Sequence, residues 1–323
     1  MPAEALEKDE KEEMINVLKK EANSLIKYKH PGILSIVEPL LEDKQTMVFV
    51  TEPVQHSLAS WVEGGNVSKL EIKLMIAELC GVLSFLHEDA KVIHANLTPD
   101  NIYITSAGHI KLSGMCFSIM DSSVSGSEFK INNSISNAMP SLNHIAPEIV
   151  FNNTAYYNSD IYSLGSIIYT LLRMNKNDSD RELISLSNNT TDSYKRQYET
   201  IESRLNRMNF DNDDNEIILK STNRRQEYRP GVKEIMEFVW FNDPKLKALR
   251  FIESMETNDA AKNNEFLSKF PNILHVFDNK IVERRFLPAF MNAIKIETLI
   301  VPVLPALFAI CESEHKVDFE GVV

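Results

Sequence analysis

The run His94-Ala95-Asn96-Leu97-Thr98-Pro99-Asp100-Asn101 gathers one imidazole and two carboxamides within eight residues. Asn96 is neutral and offers no useful base for proton abstraction. Asn101 supplies only an uncharged oxygen, whereas magnesium is usually held by one or two carboxylates plus phosphates. No metal ligands stand near His94, so it is expected to pack as a hydrogen-bonded core histidine. The two asparagines are expected to make local turn bonds. Cys80, Cys116 and Cys311 are an odd, widely spaced set without a C-x-x-C, which argues against a disulfide framework or a structural zinc site. Cys116 is expected to be a small buried apolar residue.

These residues need elements to position them. Ile72, Met75, Ile76, Leu79, Val82, Leu83 and Leu86 form a wide apolar stripe between Lys69 and Asp89, which predicts a long core-facing helix just before His94. Ile102 to Thr105 and His109 to Leu112 flank Ser106-Ala107-Gly108, predicting a hairpin just after Asn101. Upstream, Met14, Val17, Leu18, Leu25 and Tyr28 mark a helix face that carries Glu21 and ends before His30-Pro31. Ile33 to Val37 and Met47 to Thr51, separated by LEDKQ, predict a second hairpin that Glu52-Pro53 breaks. A polar loop is expected to run to about Asn143, after which Ser159-Asp160 should cap a buried helix bearing Ile161, Leu164, Ile168 and Leu171. The Asn, Asp and Ser crowded between Asn175 and Asp214 predict loops with at most one or two helices. Beyond Asp243-Pro244 four helical periods follow, near 245–255, 260–277, 280–294 and 297–313, with packing kinks expected at Pro271, Pro288, Pro302 and Pro305.

Composition narrows the function classes. Of 323 residues, 43% are hydrophobic and 25% charged, which favours a folded globular chain over a disordered or fibrous one. A net charge of -12 without a basic run repels nucleic-acid phosphates and anionic membrane surfaces. The polar, acidic start MPAEALEKDEKEE does not resemble a signal peptide, and TLIVPVLPALFAI is too short for a transmembrane span, so a cytoplasmic chain is expected.

The order of long helix, HANLTPDN, hairpin, SGMCF, loop, Ala146-Pro147-Glu148 and capped helix resembles the catalytic lobe of a protein kinase, which carries H-R-D-L-x-x-x-x-N, D-F-G and A-P-E. Glu21 stands nine residues before His30-Pro31, as the glutamate of the kinase αC helix often does, and Thr51-Glu52-Pro53-Val54 resembles the gatekeeper and hinge. TEPVQHSL, H-x-N-x-T-P-x-N and the helices that follow bring the resemblance closer, to the SCY-like pseudokinases and their clathrin-vesicle branch. It covers roughly residues 10 to 315.

The resemblance implies an α+β, protein-kinase-like fold: a truncated small lobe at 1–54, a large lobe at 55–243 and the start of a HEAT-type α-solenoid at 244–323. It places Ala95 and Asn96 where the catalytic Arg and Asp would stand, and Gly114 where the metal-binding Asp would. Only twenty residues precede Glu21, so the glycine-rich loop and the paired lysine are expected to be missing, which leaves Glu21 to cover a helix edge. No catalytic residue, metal or cofactor is expected, and ATP binding is not expected. Glu21, Thr51, Glu52, Val54 and Asn101 remain as residual pocket positions. With Ala95 in place of the arginine, Ser122, Ser123, Ser125 and Ser127 are poor phosphorylation switches. His94 is expected to be structural, as are, by the resemblance, Glu148, Arg229 and Asp160: a buried Glu148–Arg229 pair, and Asp160 accepting bonds from the catalytic loop. The implied function is a scaffold for trafficking or coat proteins, peripheral to vesicle, endosome or Golgi membranes. The competing expectations are a Ser/Thr kinase with residual ATP binding and a truncated product without function. The apolar C-terminal helices are expected to self-associate.

Overall fold

A computed structural model of the chain describes residues 8–312 apart from 44–45, 65–66, 121–125, 130, 132–138 and 175–180. Ser122, Ser123 and Ser125 thus lie outside the described residues. The chain divides into two compact units, Met1–Trp240 and Phe241–Val323.

In the first unit α1 (Lys8–Lys27) is followed by an antiparallel pair, β1 (Ile36–Glu42) and β2 (Met47–Thr51), with Leu41 opposite Val48. β1 begins later than the apolar run predicts. Ile33 bridges Leu112 instead, and Leu34 N donates to Leu112 O at 2.9 Å, so one hydrophobic run serves two partners. Next come β3 (His56–Ser57), α2 (Leu58–Glu63) and α3 (Lys69–Ser84). Ser68 fixes the start of α3 through a reciprocal capping box with Glu71. The helix buries Ile72, Met75, Ile76, Leu79, Val82 and Leu83 and passes into a π turn at Phe85–Asp89. After β4 (Val92–Ile93), β5 (Ile102–Ile104) and β6 (Ile110–Leu112) form the expected hairpin, which β3 extends in the order β3-β5-β6. Gly108 turns that hairpin at φ 79, a left-handed conformation glycine adopts without penalty.

β7 (Ile119–Met120) pairs with β4. β8 (Ser127–Glu128), which holds Ser127, pairs across α4 (Pro147–Asn152) with β9 (Thr154–Ala155). α5 (Tyr157–Met174) buries Ile161, Leu164, Ile168 and Leu171 completely. It starts two residues before Ser159, so Ser159 and Asp160 lie inside its first turn; Ser159 Oγ still accepts Tyr156 N at 3.0 Å and so satisfies a backbone N–H at the helix start, whereas Asp160 turns to the loop at His94 and Ala95. Two helices, α6 (Thr191–Tyr198) and α7 (Ile201–Asn206), stand in the polar segment where at most one or two were expected, and α8 (Asn212–Ser221) begins at its end. Burial of Tyr194, Ile201, Ile217 and Ile218 outweighs the weak helix propensity of their polar neighbours. The Thr190 hydroxyl caps α6 by accepting Ser193 N. α9 (Val232–Met236) completes the unit's helices.

The second unit is helical: α10 (Pro244–Glu253), α11 (Ala260–Ile273), α12 (Asn279–Ile281), α13 (Leu287–Ala293) and α14 (Ile300–Glu312). A π turn at Val282–Phe286 joins α12 to α13 just before Pro288, which has no N–H to give a helical ladder. Phe286 packs against Phe270 and Phe277 with ring centroids 4.8 and 4.7 Å away, forming an aromatic core with Phe290. Among the described residues, no single helix is long and apolar enough to cross a membrane.

Candidate functional site

The HANLTPDN loop is suspended from α5. Asp160, fully buried, accepts His94 N through Oδ2 at 2.8 Å and Ala95 N through Oδ1 at 2.9 Å, while His87 Nε2 lies 2.8 Å from Oδ2. These bonds hold Ala95 at φ 57, a conformation that a residue with a Cβ rarely adopts without outside support. His94 is also fully buried. Its Nδ1 accepts Asn96 N at 3.2 Å and its Nε2 donates to Ser113 O at 2.9 Å, so both bonds require the neutral ring protonated on Nε2. Burial pushes the His94 pKa down, with Asp160 opposing, which fits a neutral ring.

The asparagines lace this loop to SGMCF. Asn96 Nδ2 donates to Gly114 O at 3.3 Å, and Asn101 Nδ2 donates to Asn96 O at 2.9 Å. Ser113 donates to Asn101 O twice, from its N at 2.8 Å and its Oγ at 3.1 Å. Gly114 has φ 78, and a Cβ built on it would lie 2.5 Å from Asn101 Nδ2. The Asn101 amide therefore fills the space a side chain at 114 would need.

Glu21 closes the opposite side. One carboxylate oxygen accepts Gly114 N at 2.9 Å, and the other accepts Cys116 N at 2.6 Å. Burial pushes its carboxyl pKa up, and the bonds from Gly114 and Cys116 hold that rise back. Glu21 thus ties α1 to the SGMCF turn and does not merely cover a helix edge. Cys116 is half-buried, more accessible than the sequence suggests, and burial together with Glu21 raises its thiol to about 12.

The remaining expected positions lie elsewhere in the same unit. Glu52 accepts Ser35 N at 2.8 Å and pairs with Lys111 at 2.8 Å, while the Thr51 hydroxyl donates to Glu52 O at 3.1 Å. Val54 adds a half-buried apolar side chain beside them. Glu148 and Arg229 form a buried two-pronged pair at 2.7 and 2.9 Å. Ser159 Oγ donates to the same carboxylate at 2.5 Å, and the guanidinium lies 4.9 Å above the Tyr162 ring. Sequence reasoning missed His87, and it singled out Ser159 only as a helix cap, without its bond to Glu148. His87 falls four residues after Leu83, and a polar side chain in register with an apolar helix stripe is the signal that would have found it.

Comparison with known proteins is consistent with this arrangement. The protein kinase domain family matches residues 4–241. Among curated relatives, "Protein kinase-like protein SCY1" of Saccharomyces cerevisiae is 29% identical over 305 residues, covering 87% of this chain and 37% of its own length. "SCY1-like protein 2" of Homo sapiens is 26% identical over 348 residues, covering 98% of this chain and 36% of its own. This chain therefore spans little more than a third of either relative. Fold and match together define a protein-kinase-like fold with a helical C-terminal region. The chain belongs to the protein kinase domain family, on its SCY1-like, protein-kinase-like branch.

Proposed function

We propose that the chain is a catalytically inactive, protein-kinase-like scaffold or adaptor. Phosphoryl transfer consists largely of placing a metal-bound nucleotide and orienting the acceptor hydroxyl. By its place in the kinase motif order, Gly114 stands for the metal carboxylate and Asn96 for the acceptor base. The observation that carries the proposal is the position of Asn101: it occupies the space beside Gly114 and spends its amide on Asn96 O. His94, Asp160, Glu148 and Arg229 then serve to hold the lobe rigid, and Thr51, Glu52 and Val54 are the remnant of a nucleotide pocket.

A role in vesicle trafficking rests on the family resemblance. The proposed partners are coat or trafficking proteins, met in the cytoplasm at vesicle, endosome or Golgi surfaces. The C-terminal helices, taken as the start of a HEAT-type solenoid, supply an extended surface for such contacts. Titrating the full chain with ATP and magnesium in a thermal-shift experiment tests the inactive assignment. Ligand at a hundred times Kd stabilises a fold by about 2.7 kcal/mol. No magnesium-dependent shift is expected, and a rise of several degrees at millimolar ATP refutes the assignment.

A second possibility is a Ser/Thr kinase that keeps ATP at the hinge. It is favoured by similarity to proteins named as kinases, such as "Serine/threonine-protein kinase PKH3" of Saccharomyces cerevisiae, 24% identical over 178 residues. Transfer of labelled phosphate to a Ser/Thr peptide, abolished by Asn101→Ala, would establish it.

A further inference from the structure

β2 presents an open edge. Glu52 N donates to Ser35 O at 2.9 Å and Asp43 N donates to Thr46 O at 2.9 Å, so positions 46 and 52 turn their backbone groups toward the first strand of the hairpin. Alternation along the strand turns Val48 and Val50 the same way, in register with Leu41 and Glu38. The N–H and C=O groups of Met47, Phe49 and Thr51 therefore point away from β1. Among the described residues no third strand receives them, since this sheet has two members, β1 and β2.

The two strands differ in how their edges are guarded. β1 (IVEPLLE) carries Glu38, Pro39 and Glu42, and its register breaks between Ile36 and Glu38 and again between Glu38 and Leu41; charge, proline and bulges all discourage a further strand. β2 reads MVFVT, without charge, proline or glycine. Its solvent face is equally unguarded. Val48 and Val50 are 54% and 42% exposed, and Leu41, the partner of Val48, is exposed beside them. An antiparallel sheet with one solvated face ordinarily places polar residues at such positions. A two-stranded sheet is also marginally stable alone, so a third strand would strengthen it.

From the unpaired backbone ladder and the valine face beside it, we infer that β2 takes up an extended segment of a partner protein as a third strand. The segment's inward N–H and C=O groups pair with those of Met47, Phe49 and Thr51, and its small apolar side chains lie beside Val48 and Val50. Charge selects its flanks. Residues 36–52 hold Glu38, Glu42, Asp43 and Glu52 against Lys44, and the whole chain carries -12. Lys19 and Lys111 reach Glu42 and Glu52 from outside the hairpin, which still leaves the balance acidic. A strand flanked by lysine or arginine is therefore favoured over one flanked by acids. This names a surface and a partner class for the scaffold reading, on which its biological sense rests.

The test uses the isotope-labelled full chain, with amide exchange read by NMR and the acetylated, amidated peptide KTVTVTK as probe. The amides of Met47, Phe49 and Thr51 should exchange about tenfold more slowly once the peptide reaches about ten times its Kd, while those of Val48 and Val50, already bonded to β1, change little. The same peptide N-methylated on its three threonines keeps the side chains, loses the donors and should give no protection. ETVTVTE should bind several-fold more weakly at low salt. Phe49→Pro removes the central outward donor without touching a bond to β1, and should abolish protection at Met47 and Thr51. Unchanged exchange at millimolar KTVTVTK overturns the inference, as does equal binding by the N-methylated peptide or by ETVTVTE. So does protection of the three amides without peptide: growth with chain concentration would put a second copy on the edge, and independence of it a segment of the same chain. If Phe49→Pro loses its folded spectrum, the N-methylated peptide on the wild-type chain decides alone. No nucleotide enters the experiment, so its failure is distinct from failure of the ATP titration.

Discussion

At Gly114, backbone geometry and steric room both depend on the absence of a side chain. Its φ of 78 is costly for any residue with a Cβ, and the nearest atom to such a Cβ is the Asn101 amide. Gly114→Asp, which restores the acidic residue of the kinase motif, is therefore expected to destabilise the first unit by about 1–3 kcal/mol. It should also fail to create magnesium-dependent ATP binding; denaturant unfolding and calorimetry read the two effects. A second contrast separates scaffold from catalyst. Truncating Glu148 leaves the Arg229 guanidinium, whose side chain is 0% exposed, without its partner, and breaking a buried pair this way costs about 3–5 kcal/mol. Asn96→Ala removes one long bond to Gly114 O and is expected to cost only about 0.5–1.5 kcal/mol. Equal losses in urea unfolding for the two variants would show that neither role is as described.

At the scale of elements, α1 is held to the SGMCF turn by the Glu21 carboxylate, which receives backbone N–H groups. Glu21→Ala leaves Gly114 N and Cys116 N without that acceptor, so the amides of α1 and of residues 114–117 should exchange faster with solvent, while those of α5 stay unchanged. The pH dependence has a definite sign. Because the folded-state pKa of Glu21 lies above its ordinary 4.5, the fold favours the protonated form, and its contribution to stability declines as pH rises from 4.5 through the raised value. The wild type should therefore lose stability relative to Glu21→Gln as pH is raised through that window; an opposite trend in paired unfolding curves would contradict the burial argument.

Much of this element layout is legible in sequence, because period and punctuation state it directly. The α3 stripe, the β5–β6 hairpin around Gly108 and the helices after Asp243 need only local rules. Other features depend on tertiary partners that no local window contains. Ile33 leaves its apparent strand for Leu112, and α6 to α8 form because a core receives Tyr194, Ile201 and Ile217. At the site, the motif order marks His94, Asn96, Asn101 and Gly114. That Asn101 would fold into the space beside Gly114, and that Glu21 would turn to backbone amides, depends on distances across 93 and 95 residues of chain or on one glycine's φ.

At the scale of the whole molecule, α14 leaves apolar surface to be covered. Residues 300 to 311 carry no charge. One side of the helix is spent on its own unit, where Val303, Ala306 and Ile310 are completely buried. The other side leaves Val301 76%, Leu304 38% and Phe308 60% exposed. These three recur at spacings of three and four, so they form one continuous stripe on the helix surface. Fully burying a side chain of this kind is worth about 1.5–3 kcal/mol, and two stripes meeting across a symmetric contact would bury the part of six such side chains that is still exposed. A dissociation constant near ten micromolar corresponds to about 7 kcal/mol of net binding, which the stripes and the surface around them must supply beyond the cost of association. The chain is therefore expected to self-associate at tens of micromolar through α14. Light scattering across a dilution series should show the apparent mass falling toward 36.8 kDa, the mass of one chain. Phe308→Glu should give that monomer mass at every concentration, because it places a charge in the middle of the contact without touching the buried side of the helix. Leu304→Glu should act in the same direction but less strongly, since Leu304 is the less exposed of the two. A wild-type chain that is monomeric at tens of micromolar, with no change on Leu304→Glu, would mean that the stripe is tolerated in water and that α14 is not an association surface.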